Sequence, residues 1–289
     1  MSLIRYPGSK DKMTGQIQEY FPDHLRLQLF AASGDREYRE PFFGAGSVGI
    51  RLITDVLNPG CRVWLNDKDP ALVAMWLSVK DHPRELAQKI QRFEPTAEAF
   101  WQFKESDDKP TGNIVEDGFR KLALHQISFS GLGYMAGGPL GGKNSENPAY
   151  PPGCRWRPMR LSKTVWELHK RLSRFKQLKI TCGDFAPLIE GANESTFIYI
   201  DPPYYEKGPQ LYKHSMSEHD HARLAALLGV SNASWVLSYD DHPEIRRLYS
   251  WAEISEIKVT YTTATARQPT RPKNQEIVIV PRLVSAASA

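Results

Sequence analysis

The sequence predicts an α/β protein built on a mostly parallel, Rossmann-like sheet with an inserted helical region. Three observations predict it. Short apolar runs end, one after another, in an acid or a glycine, at residues 38–44, 61–67, 178–184 and 196–201. The first run passes through a glycine turn into an amphipathic segment. Residues 81–175 abandon this rhythm and read as helices. A chain of 289 residues with a mean hydropathy of -0.46 suits a soluble globular protein of one large domain, or of one domain with a sizeable insertion. The net charge of +4 permits a polyanionic partner without requiring one. No signal peptide or long apolar run is visible, so the cytoplasm is the expected compartment. Cys61, Cys154 and Cys182 are far apart and form no CxxC pair, which argues against a disulfide scaffold or a metal site.

Near the start of the chain stands Arg5-Tyr6-Pro7-Gly8-Ser9-Lys10. Pro7-Gly8 is a turn signal, and Ser9 is placed to cap a helix running to Phe21. Lys10 near that helix start suits an anion, or the segment is a plain surface turn. Next, Glu40-Pro41-Phe42-Phe43-Gly44-Ala45-Gly46-Ser47-Val48-Gly49 reads as strand, turn and helix, and its glycines spell GxGxxG. Glycines there let the backbone turn tightly and let a ligand approach. About twenty residues on, Asp67 ends a second strand at the offset from which an acid accepts ribose hydroxyls. Together these point to a nucleoside-containing cofactor, without separating NAD from S-adenosylmethionine. Pro70 then opens a helix over 70–80.

In the insertion, helices are expected over 83–93, 97–106 and 113–128, with Phe100, Trp101 and Phe103 in the core. The glycine-dense stretch 130–144 reads as a mobile functional loop or a disordered one. It leads into Arg155-Trp156-Arg157-Pro158-Met159-Arg160 and Lys163. Bases interleaved with an aromatic suit a nucleic-acid backbone, or form a solvated basic face. Lys143, Asn144, Arg155, Arg157 and Arg160 are the candidate DNA contacts. Ser162 is expected to cap a helix running to Phe175.

The sheet resumes at residues 178–185, where Asp184 is placed to accept an adenine amino group and Phe185 to stack on its ring, or Asp184 simply caps a helix. Thr196-Phe197-Ile198-Tyr199-Ile200-Asp201-Pro202-Pro203-Tyr204 follows. Proline cannot continue a central strand, so the strand stops at Asp201. Two prolines remove two donors and leave a rigid rim of acceptors, the Asp201 carboxylate and the Pro202 carbonyl. Such a rim suits an aromatic ring bearing an NH2 group, with Tyr204 as a stacking face. Hydrogen bonds accepted from that NH2 favour a localised lone pair, and the carboxylate stabilises the charge that develops as nitrogen attacks carbon. Residues 206–216 form a polar loop beside this rim, and Ser217 with Asp220 gives a capping-box pattern for a helix to Gly229. His219 and His221 read as surface residues of that helix. A strand over 234–238, a helix over 243–251 and strands over 253–260 and 274–280 complete the chain. The loop between the last two strands carries Arg267, Arg271 and Lys273, and with no helix between them they must pair antiparallel.

In combination these motifs resemble the Dam-like, D12-class N6-adenine DNA methyltransferases over most of the chain. Arg5 to Lys10 looks like the family's N-terminal cofactor motif, Glu40 to Ser47 its glycine loop and Asn66-Asp67 its ribose acid. Gly183-Asp184-Phe185 looks like its adenine corner and Asp201-Pro202-Pro203-Tyr204 its catalytic motif. The resemblance implies a seven-stranded methyltransferase sheet with the last strand antiparallel. It implies a catalytic domain from residues 1–80 and 176–289 and a helical target-recognition region at 81–175. It further implies S-adenosylmethionine as cofactor, double-stranded DNA as partner and adenine N6 as the methyl acceptor, with no membrane and no obligate protein partner. The cofactor residues carried over are Tyr6, Lys10, Phe42, Gly44, Ala45, Gly46, Ser47, Asp67, Asp184, Phe185 and Asp201; the catalytic set is Asp201, Pro202, Pro203 and Tyr204. Two departures stand out: the glycine-rich stretch 131–153 replaces the family's recognition hairpin, and Tyr6 stands where tryptophan is common. GATC specificity is therefore not carried over. Three alternatives fit parts of the pattern: methylation of N4-cytosine or RNA adenine, a nicotinamide dehydrogenase, and a non-catalytic DNA-binding module.

Overall fold

The computed structural model describes residues 2–6, 10, 13–21, 36–142, 149–257 and 276–282. Seven strands, β1 (Glu37–Glu40), β2 (Arg62–Asp67), β3 (Leu178–Cys182), β4 (Thr196–Ile200), β5 (Ser234–Asp240), β6 (Glu253–Ile257) and β7 (Glu276–Val280), form one sheet in the order β3-β2-β1-β4-β5-β7-β6. The first five run parallel, and β7 inserts antiparallel to both β5 and β6. The antiparallel closing pair expected from the sequence is present. Strand order reverses between β1 and β4, and open α/β sheets bind ligands outside the carboxyl ends at such a point.

All of β4 is buried, as a central strand covered on both faces should be, and that explains its unbroken apolar run. Its side chains still alternate. Phe197 and Tyr199 join a core with Val63, Leu65, Val236 and Val278, while Ile198 and Ile200 join another with Trp235, Leu237, Ile277 and Ile279. Helices α1 (Thr14–Glu19), α2 (Ser47–Asp55) and α3 (Pro70–Asp81) cover the first face. The inserted helices α4 (Pro83–Arg92), α5 (Ala97–Ser106), α6 (Ile114–Ile127) and α7 (Pro158–Leu172) add Leu86, Phe100, Phe119 and Leu161 to that same core. Gly118 lets α6 lie directly on α3, since a Cβ there would come 2.7 Å from the Ala74 carbonyl oxygen. On the other face lie α8 (Ala186–Glu190), α10 (Glu218–Gly229) and α11 (Pro243–Leu248); α9 (Gly208–Leu211) is a single turn in the loop after β4. Among the described residues, no helix is long and apolar enough to cross a membrane.

Several local expectations are corrected. Helix α7 starts at Pro158, not at Ser162, because proline at the first helical position surrenders only an N–H that has no partner there. Ser162 is buried inside the helix, its hydroxyl accepting from Gln91 Nε2 at 3.3 Å. The helix ends at Leu172, and α11 ends at Leu248 rather than 251. The glycine-dense stretch is folded over its described part. The Phe129 N–H donates to the Gly138 carbonyl at 3.0 Å and the Leu140 N–H to that of Ile127 at 2.8 Å, closing a tight loop. His221 is buried, not at the surface, and its Nδ1 meets the Tyr239 hydroxyl. Helix α1 begins at Thr14, while Ser9, Lys143, Asn144, Arg267, Arg271 and Lys273 lie outside the described residues.

Candidate active site

Four loops, following β1, β2, β3 and β4, converge on one cleft at the carboxyl edge of the sheet. Asn66 ties three of them together. Its Nδ2 donates to the carbonyls of Pro41 at 3.1 Å and Gly183 at 3.0 Å, and its Oδ1 accepts from Thr181 Oγ1 at 2.8 Å. The next residue, Asp67, accepts the Gly44 N–H at 2.8 Å and the Asp69 N–H at 2.9 Å. Burial pushes its carboxyl up to about 6 in spite of those bonds. The glycine turn holds its shape at Gly46, where φ is 72° and a Cβ would come 2.9 Å from Phe43, Ile50 and Trp76. Trp76 Nε1 donates to the Gly44 carbonyl at 2.9 Å from below. At the end of β3, Asp184 accepts the Ala186 N–H at 2.8 Å and pairs with Arg223, whose guanidinium sits 4.4 Å over the Phe185 ring. Partial burial opposes ionisation of Asp184, but the Arg223 bond outweighs it and holds the carboxyl below its ordinary value. The Phe42 and Phe185 rings lie 5.4 Å apart.

Asp201 stands where β4 stops. Its Oδ1 accepts from Ser238 Oγ of β5 at 2.9 Å and faces Lys10 Nζ at 3.4 Å. Lys10 is only 1% exposed; it donates to Glu276 Oε2 at 2.8 Å and to the Tyr204 hydroxyl. Burial raises the Asp201 carboxyl to about 6, against the pull of Lys10. Burial also opposes the Lys10 charge, but Asp201 and Glu276 outweigh it and hold the ammonium well above its ordinary range.

Of the residues singled out from sequence, Tyr6, Phe42, Gly44, Ala45, Ser47 and Asp67 line the cleft, together with Asp184, Phe185, Asp201 and Pro203. Lys10 and Gly46 do not line it: Lys10 lies behind Asp201, and Gly46 between Phe43 and Trp76. Pro202 is buried, and Tyr204 directs its hydroxyl to Lys10. Arg155, Arg157 and Arg160 are exposed at the start of α7. Trp156 between them is buried instead, edge-on to Phe93 at 5.1 Å. Sequence reasoning missed Tyr212, Lys213 and His214 in the lining, and Ser238 and Glu276 behind Asp201. The available signals were a serine just after the apolar Trp235–Leu237 run and an acid heading the apolar run of β7.

The family model for D12 class N6 adenine-specific DNA methyltransferases matches residues 6–263. The chain belongs to that family. It is a DNA adenine N6-methyltransferase, and S-adenosylmethionine-dependent methylation of adenine N6 is the activity of the D12 class. A type II methyltransferase of Lactococcus lactis subsp. cremoris, M1.LlaDCHI, is 25% identical over 96% of this chain and 94% of its own length. A DNA adenine methylase of Vibrio cholerae is 25% identical over 90% of this chain and 89% of its own. The solved rRNA methyltransferase aviRa from Streptomyces viridochromogenes covers 96% of this D12-class chain and 86% of its own at 11% identity, with a TM-score of 0.35, too slight a likeness to bear on the reaction.

Proposed function

We propose that this enzyme binds S-adenosylmethionine in the cleft, with the adenosine end against Asp67, Asp184 and Phe185, and methylates N6 of an adenine swung out of duplex DNA. The reading rests on Asp201, a half-buried carboxylate at a proline-stopped strand end, in the same cleft as the glycine turn and Asp67. The donor set suits the cofactor. Two carboxylates with lone pairs beyond those used by backbone N–H groups suit hydroxyl and amino donors, and Phe42 and Phe185 offer apolar ring faces. When bound, the cofactor supplies a methyl group made transferable by its sulfonium.

The protein's own groups do the rest. N6 is unreachable inside the duplex, so the base leaves the stack at a cost of a few kcal/mol. Asp201 and the Pro202 carbonyl accept the two N–H bonds of the amine and hold its lone pair toward the methyl carbon. As the new C–N bond forms and the S–C bond breaks, positive charge gathers on nitrogen, and the Asp201 carboxylate stabilises it. N6 then loses one proton to water, directly or by way of the Asp201 carboxylate. Among the described residues the Ser238 and Lys10 contacts both fall on Oδ1, and the amine is assigned to Oδ2. Tyr204 serves as the stacking face for the base. The helical region 81–175 meets the DNA, with Arg155, Arg157 and Arg160 offered to phosphates.

The test is transfer of labelled methyl from S-adenosylmethionine to mixed-sequence DNA, followed by nucleoside digestion. N6-methyladenine is expected with the native protein. Asp201→Ala should abolish transfer while cofactor binding persists, and retained turnover in that variant would overturn the assignment.

A further inference from the structure

Glu276 is the first residue of β7, and the direction of that strand places it. Because β7 runs antiparallel to β5, its first residue lies opposite the last residue of β5, Asp240, at the carboxyl edge where Asp201 stands. There its side chain, in a residue 3% exposed, accepts from Lys10 Nζ at 2.8 Å, while the same ammonium lies 3.4 Å from Asp201 Oδ1 and bonds the Tyr204 hydroxyl. We propose that Glu276 is a positioning residue for methyl transfer: it anchors Lys10 so that the ammonium braces Asp201 and Tyr204 without capturing the carboxylate that must accept the amine. This rests on the role given above to Asp201.

A buried ammonium closes on whatever carboxylate it can reach, because the pair is poorly screened. Here two carboxylates compete, and the shorter contact goes to Glu276. With Glu276 uncharged, Asp201 is the remaining anion, and its contact with Lys10 should tighten toward the roughly 2.7–2.9 Å of a charge-assisted bond. A carboxylate so engaged is a weaker acceptor for N6, and small displacements of a reacting group are costly. The charged and titratable groups facing Asp201 come from every side: Lys10, Glu276 on β7, Tyr199 on its own strand, Tyr212 on the following loop and Glu40 on β1. Of these, Lys10 is the cation, so its anchoring governs the balance. Ser238, backed by the Tyr199 hydroxyl at 2.9 Å, also holds Oδ1 and limits how far the carboxylate can follow Lys10.

The test is Glu276→Gln, which keeps the shape and an acceptor oxygen but removes the charge. Expected are a kcat on DNA lower by roughly ten- to a hundredfold, unchanged cofactor binding, and a downward shift of the Asp201 carboxyl titration followed by 13C NMR. The double variant Lys10→Met/Glu276→Gln should have a kcat no lower than Lys10→Met alone, since the ammonium that Glu276 anchors beside Asp201 is then already gone. An unmoved Asp201 titration, or losses that multiply in the double variant, would overturn the proposal. The titration needs no turnover, so it decides the matter even if the native protein failed to methylate DNA, which would refute the functional reading instead. Should Glu276→Gln not fold, Glu276→Asp, whose carboxylate is withdrawn by one methylene, must shift the titration in the same direction.

Discussion

Asp67 and Asp201 face one cleft as carboxyls that burial has raised to about 6. A raised value means that each takes up its proton about two pH units sooner than an exposed aspartate, whose ordinary value is near 3.9. Both must be ionised to serve the proposed reaction. We therefore expect kcat/KM for the cofactor to fall as pH drops through about 6, approaching a slope of two on a log plot, because this ratio reports the groups of the unliganded enzyme. Asp67→Asn should reduce the limiting slope to one. A profile flat to pH 5 would remove both groups from the mechanism as described. Each of these acids is legible in the sequence because it ends an apolar run, and Asp201 is marked again by the prolines behind it. Their environment is not. The Lys10–Glu276 contact joins residues 266 positions apart, and no local pattern announces a partner at that distance.

The elements fit by close approach. Where α6 crosses α3, Gly118 replaces a side chain with direct backbone contact, and a methyl group there meets the α3 backbone rather than a flexible side-chain end. Gly118→Ala should cost about 1–3 kcal/mol by overpacking. That lowers the melting temperature by about 2–4 °C for each kcal/mol, with cofactor binding at low temperature preserved. An unchanged melting curve would mean that the helices can separate at no cost. Element boundaries read from sequence fail where two signals compete. At the start of α7, Pro158 and Ser162 each mark a helix start, and the proline prevails because the backbone is already committed at that point. His221 was readable in principle: with Leu224, Ala225 and Leu228 it falls on one helical stripe, and those three are buried.

Taken as one body, the molecule has a modest net charge of +4, so affinity for DNA must come from where the bases lie. Arg155, Arg157 and Arg160 are exposed together, with Trp156 turned into the core to hold the segment down. Replacing all three arginines with alanine should weaken binding alike across sequences. For every phosphate that an arginine no longer neutralises, the salt slope should fall by about 0.9, with cofactor binding unaffected. An unchanged slope would take them off the DNA face. Because helices α4 to α7 share their core with the sheet, they form a rigid extension of it, and the DNA contact proposed for them would be registered directly to the cleft.

The order of the strands also sets when the enzyme can come into being. Among the described residues β6 pairs with β7 and with no other strand, and β5 meets β7 on its outer side, so until residues 276–280 have emerged from the ribosome both strands have an open edge. At that stage Lys10 also still lacks Glu276. A nascent chain can therefore complete the glycine turn, Asp67 and Asp201 while β5 and β6 still lack their shared partner, so the arrival of β7 closes the sheet edge and the Lys10 contact in one step.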